Sequence, residues 1–296
     1  MTFQPYPSRS GFIFLGIGLI FMAFAYVLTR LLLQQADPTL AFILLVGLLV
    51  TLVAIGLMLY GALVVFKLGY HINRNGLAIR WGLGQQLIPF QSIKTIIPGK
   101  DVTPSAEFRA ANIAGLHFGR AELPEYGSLR FRATAPLTES LLVVTPNQVY
   151  VISPDQPQAF LKAWQVRQNL GPTQQWSESI RRRWPLNIPL VLDPLTWRLL
   201  GTAAFFCFSL IGYISMNYPN LPALLPIHFD SLGQADRIVD KRILFTLPLV
   251  GAIVWGFNLV LGSLFYRQEK VAAYLLWGST VVVQLCLWAA VLMITG

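Results

Sequence analysis

The chain has 296 residues, 55% of them hydrophobic and only 12% charged, with a mean hydropathy of +0.58 and a formal net charge of +9. Soluble domains carry about 25% charged residues, and the apolar excess here falls in blocks, which excludes an ordinary soluble globule and points to a membrane protein. The cysteines, Cys207 and Cys286, both lie inside apolar blocks and are too few for a disulfide framework or a paired-cysteine zinc cluster.

The first block, Phe12–Leu33 (FIFLGIGLIFMAFAYVLTRLLL), is long enough to span, since a helix needs about 20 apolar residues to cross the hydrocarbon core. Ala23-Phe24-Ala25 mimics a signal-peptide cleavage site, but the apolar run continues to Leu33 and only Arg9 precedes it as a basic residue, so it reads as an uncleaved anchor. Leu40–Phe66 is the second spanning block, completing a transmembrane hairpin over residues 1–66.

Residues 67–172 change character, with Gly, Pro and polar residues breaking up short apolar runs. Tyr70–Asn73, Arg74-Asn75-Gly76 and Leu77–Trp81 read as strand, tight turn and strand, because Asn-Gly tolerates positive φ at both positions. Gln86–Phe90 follows a glycine turn, and Ser92–Ile97 extends the sheet. Beyond a looser Ala- and Gly-rich stretch, Ser128–Ala133 alternates as a half-buried strand should, and Leu141–Thr145 with Gln148–Ser153 predicts another hairpin. Ser153-Pro154-Asp155-Gln156-Pro157 is a helix cap leading into Gln158–Gln168, where Phe160, Leu161 and Trp164 form an apolar stripe. The expectation is six or seven strands closed by one amphipathic helix.

YHINRNGLAIRWGLGQQLIPFQSIKTI resembles the opening of bacterial pleckstrin-homology-like (PH-like) domains, and LLVVTPNQVYVISPDQPQAFLKAW resembles their end. The resemblance implies a β-sandwich or barrel plugged by a helix; it does not imply phosphoinositide binding. Lys94, Lys100, Arg109, Arg120, Arg130 and Arg132 make the region basic, and Arg130 and Arg132, two apart on one strand, project from the same face. That face reads either as solvated, in keeping with the positive bias of cytoplasmic segments, or as attractive to anionic lipid or an acidic partner. No stacking aromatics recur among the charges, so nucleic acid is not an expected partner.

Residues 173–198 read as an interfacial connector. Ser177–Trp184 is expected as a short helix carrying Arg181, Arg182 and Arg183 as a basic cluster toward anionic lipid. Pro185, Pro189 and Pro194 forbid a long helix, while Trp176, Trp184 and Trp197 favour the headgroup level.

Residues 199–296 hold three further spans, about Leu199–Tyr218, Ile243–Phe265 and Val271–Thr295, which makes five. No ionisable residue falls near a span midpoint, and Arg30 is close enough to an end to snorkel, which argues against proton- or ion-coupled transport. Asn258 should lie level with Ser279 or Thr280 on the antiparallel neighbour, where a hydrogen bond contributes about 0.6–2 kcal/mol. Gln284 lies deeper and finds no partner within that hairpin.

The polar loop 219–242 contains PIHFDSLGQADRIVDKR. Its spacing of His228, Asp230, Asp236 and Asp240 matches neither a zinc pair on a helix nor a calcium loop, and Ser231 lacks a catalytic context. No metal, cofactor or catalytic residue is expected. The run Pro226, His228, Phe229, Asp230, Gly233 and Asp236 resembles the motif of a short bacterial membrane domain of unknown function found in SdpI-like immunity proteins. There it joins two helices on the outer side, so the resemblance transfers an architecture and a motif but no reaction.

The two resemblances imply a multi-pass protein of the bacterial inner membrane, and the distribution of Lys and Arg predicts that its N-terminus and central domain are cytoplasmic and that loop 219–242 and the C-terminus are outside. The expected fold is therefore a five-helix membrane protein with an inserted PH-like domain capped by a helix. Its expected role is non-enzymatic, as a scaffold, sensor or accessory subunit with a protein partner at the cytoplasmic domain and the lipid bilayer as its setting. The alternative is a small permease or immunity-type protein that binds a peptide or toxin through residues 226–236.

Overall fold

The structure is a computed structural model that describes residues 1–102, 112–113, 115–123, 126–168, 170–171, 173–183, 188–229 and 235–295. In chain order, β1 (Thr2–Phe3) precedes α1 (Ser10–Gln34) and α2 (Pro38–Phe66). The β-rich region runs through β2 (Gly69–Ile72), β3 (Gly76–Trp81), β4 (Gly84–Pro89), β5 (Thr95–Pro98), β6 (Asn112–Ile113) and β7 (Leu116–Leu123). It continues with β8 (Gly127–Ala133), β9 (Leu141–Val144), β10 (Val149–Ile152), α3 (Pro157–Gln168) and β11 (Ser179–Arg182). The chain ends with α4 (Pro189–Leu192), α5 (Pro194–Asn217), β12 (Leu224–Phe229), β13 (Ala235–Asp240), α6 (Thr246–Phe265) and α7 (Lys270–Thr295). Helices α1, α2, α5, α6 and α7 are each long and apolar enough to cross a bilayer, as the sequence predicts for a membrane protein. Contacts divide the chain into two compact units, Met1–Ala25 with Thr51–Asn187, and Tyr26–Val50 with Ile188–Gly296.

In the first unit, one sheet has the order β1-β2-β3-β4-β11 and the other β5-β9-β10-β8-β7-β6. The sheets stay separate and do not close into a barrel. Their pairings are antiparallel except for β8 with β10, which run parallel. Alternate residues Tyr70, Ile72, Leu77, Ile79, Val143, Tyr150 and Ile152 from both sheets meet Phe160 of α3 in one core. The opposite face of the six-stranded sheet is buried too: Leu129, Phe131, Leu142, Val149 and Val151 pack under Val102 and Leu137. Burial on both faces explains why β9 and β10 are apolar throughout and show little alternation.

The same core takes in Phe3 of β1, Phe14 of α1, and Ala62, Val64 and Val65 of α2. Only Lys67 and Leu68 separate α2 from β2, so the helix runs into the sheet almost without a linker. The β2–β3 turn falls where expected but is centred on Arg74 and Asn75, with Gly76 already in β3: Asn73 N–H donates to Gly76 O at 3.1 Å, and Asn73 Oδ1 accepts from the backbone N–H of Asn75 at 2.9 Å and of Gly76 at 3.1 Å.

Among the described residues of the first unit, four strands go beyond those the sequence predicts. β1 and β6 have two residues each, and β7 lies in the stretch taken as loose, where Gly119 and Arg120 interrupt its pattern. The fourth overturns the short helix expected over Ser177–Trp184. Residues 179–182 form β11, paired antiparallel to β4 from Ser179↔Leu87 to Arg182↔Gly84, while Trp184 lies outside the described residues. A helix of eight residues is marginal by itself, whereas the edge of β4 offers a row of unpaired N–H and C=O groups. The incoming segment is pinned upstream, where Asn75 Oδ1 accepts from Thr173 N, Thr173 Oγ1 and Gln174 N, each at 2.9 Å.

In the second unit, α5, α6 and α7 pack through small residues. A Cβ on Gly262 of α6 would lie 2.3 Å from Nε1 of Trp277 on α7, so only glycine admits that approach. A Cβ on Gly212 of α5 would lie 2.7 Å from the ring of Phe42 in α2. Loop 219–242, read as a connector, contains the antiparallel hairpin β12–β13, with Leu225 buried beside Leu210, Ile214, Leu244 and Val291.

Gly76 has φ +153, and a Cβ there would sit 2.1 Å from the carbonyl oxygen of Ile88. Gly76→Ala should therefore cost about 2 kcal/mol or more. Thermal unfolding of the detergent-solubilised chain checks this; an unchanged transition would mean that the turn tolerates a side chain.

Candidate functional site: an arginine cleft on the sandwich

β7 and β8 pair in a register that sets Arg120 opposite Arg130 and Phe118 opposite Arg132. Residues two apart on a strand share a face, so these four side chains project together. Across from them stand Trp81 at the end of β3 and Ile180 and Arg182 on β11, with Tyr60 of α2 completing the wall. The result is an open cleft of about 380 Å3 that holds four guanidinium groups and no carboxylate among its lining residues.

Arg132 is the unusual member. It is only 8% exposed, with its guanidinium 3.8 Å from the Phe118 ring centre and 4.4 Å from that of Trp81. Nη1 donates to the carbonyl of Phe131 at 2.6 Å, Nε has no partner, and among the described residues no carboxylate pairs with the side chain. Burial, and then the neighbouring Arg130, pull its pKa down to about 10. A buried cation without a counter-charge costs several kcal/mol, of which stacking on two rings offsets about 2 kcal/mol. The face that the sequence left as either solvated or anion-attracting is therefore not solvated at Arg132.

Arg130 donates to Gln86 Oε1 at 3.3 Å, which orients it without neutralising it. Nearby, the Tyr150 hydroxyl donates to Glu178 at 2.5 Å, and burial first, then that bond, push the Tyr150 pKa up. Glu178 also accepts from Asn147, so it ties the segment before β11 to the β9–β10 turn and not to the cleft.

The expected basic cluster of Arg181, Arg182 and Arg183 is dispersed by strand periodicity. Arg182 enters the cleft and Arg181 projects from the opposite face. Arg183 N–H donates to Leu83 O at 2.8 Å, and its side chain joins Lys67 and Arg80 around a second depression. The three side chains therefore do not share one face.

Of the loop motif, Pro226, His228 and Phe229 lie in β12 and Asp236 in β13, with His228 in register with Arg237. Asp230 and Gly233 lie outside the described residues. The hairpin base is firmly held: Lys241 Nζ donates to Tyr218 O at 2.8 Å and Leu221 O at 3.1 Å, and sits 4.3 Å from the Tyr218 ring centre. Among the described residues no group of three His, Cys, Asp or Glu is placed to hold a metal ion.

Within the helices, Asn258 Nδ2 donates to Thr280 Oγ1 at 2.9 Å and Leu276 O at 3.2 Å, while Ser279 turns to its own helix at Leu276 O. Gln284 reaches Gly251 O at 2.9 Å, a partner the sequence reading did not find. Asp193, just before α5, caps that helix through Leu195 N–H and accepts from the hydroxyls of Tyr266 and Tyr274. No sequence spacing announces this clasp, since its members are over 70 residues apart.

Residues 68–168 match the Bacterial PH domain. Residues 205–252 match a domain of unknown function, DUF1648. No curated protein and no solved structure matches the chain. The protein thus joins a PH-like domain to a membrane domain of unknown function, as the two resemblances in the sequence implied. The PH-like match spans β2 to α3 but omits β1 and β11, the two edge strands of the five-stranded sheet. Arg182 and Ile180 of the cleft, like Tyr60, therefore lie outside the matched PH-like stretch. The DUF1648 match covers most of α5, the hairpin and the start of α6, and so includes the whole Pro226–Asp236 motif.

The hydrogen bond from Tyr274, then that from Tyr266, lowers the Asp193 pKa from 3.8 to about 2. A depressed folded-state pKa gives stability that is present above the unfolded value and lost as pH falls through the folded one. Asp193→Asn should thus lower the melting temperature at neutral pH and flatten the acid-side loss between pH 3.8 and 2. Melting curves across that window check it, and an unchanged acid limb would remove Asp193 as its source.

Proposed function

We propose that this protein is a non-enzymatic component of the bacterial inner membrane, acting as a scaffold, sensor or accessory subunit. In this reading its PH-like domain is cytoplasmic and engages a protein partner, and loop 219–242 and the C-terminus face outward. The observation that carries it is the shared core: Phe14, Ala62, Val64 and Val65 of two spanning helices pack with Tyr70, Ile79 and Phe160 of the PH-like domain. A module on a loose tether would be a recruitment device. A domain whose core continues into the spanning helices transmits their position, since close-packed interiors pass on displacement and do not absorb it. The orientation rests on the Lys and Arg bias, with Lys67 and Arg74 next to α2 and Arg181, Arg182 and Arg183 ahead of α5.

Affinity purification after mild detergent extraction should yield a stoichiometric partner protein, released at high salt if it docks on the basic surface. A chain that purifies alone under several mild detergents would remove the scaffold and accessory readings.

A second reading is favoured by the hairpin. A braced β12–β13 that carries the Pro226–Asp236 motif suits a small permease or immunity-type protein that grips a peptide or toxin from outside. On that reading His228→Ala or Asp230→Ala abolishes protection of cells while membrane insertion persists, and full protection by both variants would reject it.

A further inference from the structure

We propose that the cleft formed by Arg120, Arg130, Arg132 and Arg182 binds the phosphate of an anionic lipid headgroup, with an acyl chain lying along the Val53, Leu57 and Tyr60 face of α2. The inference goes beyond the partner reading and does not rest on it; either can fail alone.

The chemistry of the cleft selects an anion. Four guanidinium groups converge, no carboxylate lines the cleft, and Arg132 is buried with Nε free. Guanidinium groups present planar forks of donors that suit phosphate oxygens, and such charge-assisted bonds are about twice as strong as neutral ones. Three of the four arginines come from two strands locked in register and the fourth from the facing edge strand, so the charges are held apart by the sheets before any ligand arrives.

The depth of the cleft selects a lipid. Tyr60 belongs to a spanning helix of 29 residues, about 43 Å long, against a hydrocarbon core of about 30 Å. Tyr60 lies six residues before the last residue of α2, or about 9 Å along its axis, which brings it near the boundary between acyl chains and headgroups. The cleft is held at that level by the β3–β4 turn, where Gly82, at φ +40, packs so closely on Val64 that an added Cβ would approach it to 3.1 Å. Below the cleft, exposed Val53 and Leu57 precede Tyr60 at i, i+4 and i+7 spacing, which gives one continuous apolar track on α2. Trp81, Phe118 and Ile180 make the rest of the wall apolar or aromatic, as suits the glycerol region of a lipid and not a freely hydrated ion.

Native mass spectrometry of the full-length chain tests this, after release from micelles doped with phosphatidylglycerol or, as a zwitterionic control, phosphatidylcholine. The wild type should retain phosphatidylglycerol, and the double variant Arg120→Gln, Arg130→Gln should retain it about tenfold less, with Lys94→Gln unchanged as a control for surface charge. Arg132→Gln should abolish retention, but it lies in a packed position; the double variant, checked for an unchanged melting temperature, keeps the result interpretable. Equal retention by wild type and double variant overturns the proposal. So does arginine-dependent stabilisation by inorganic phosphate without lipid retention, which would make this a free-phosphate site, or displacement of the lipid by a polyglutamate peptide, which would make it a protein-docking site.

Discussion

The hydrophobic core that α1 and α2 share with the β-sandwich governs the rest of this molecule. Val64 and Val65 end a spanning helix, and after Lys67 and Leu68 the chain is already pairing as β2. A helix end that enters a sheet over two residues has little torsional freedom, and burial of Phe3, Phe14 and Ala62 on the same core removes more of it. Each fully buried large side chain contributes about 1.5–3 kcal/mol relative to exposure. The domain is thereby seated on its helices by the same force that folds it. The β3–β4 turn beside Val64 and Tyr60 follows from that seating, and so does the place of the cleft.

Within the sandwich, apolar packing and charge divide one surface between them. The inner residues of β9 and β10 are apolar and fill the core, whereas the corresponding face of β7 and β8 carries Arg120, Arg130 and Arg132. Aromatic rings of Phe118 and Trp81 cover Arg132 and offset part of its desolvation, yet they supply no negative charge. Such a face sacrifices stability to hold cations in place, and native proteins accept that cost chiefly at sites of function. The helical unit places polar groups differently. There Asn258 with Thr280 and Asp193 with Tyr266 and Tyr274 are matched donor to acceptor, and Gln284 donates to Gly251 O, so they fasten helices together.

Much of the fold was legible in the chain because the bilayer and the turn residues leave few options. Twenty or more apolar residues in a row admit a spanning helix and little else, and the five helices observed begin and end within a few residues of the apolar blocks. The place of the β2–β3 turn and the start of α3 at Pro157 were equally plain, as their backbone requirements are local. What stayed hidden was pairing. β1 is two residues long, β7 carries a glycine and an arginine where apolar residues would mark a strand, and β11 reads as well for a helix as for a strand. Each exists because a partner edge was there to receive it, and an edge is not visible in a local window.

The candidate sites divide along the same line. The sequence by itself determined the motif from Pro226 to Asp236, the level of Asn258 with Thr280, and the common face of Arg130 and Arg132, because strand and helix periods fix which neighbours align. Tertiary structure alone decided that Arg182 joins that face from another sheet and that Arg132 is buried between two rings. It also decided that Tyr60 of a membrane helix closes the wall, and that Asp193 meets two tyrosines more than 70 residues away. Period and composition act over a few residues, whereas a cleft or a clasp is made where distant segments are brought together by burying the apolar surface between them.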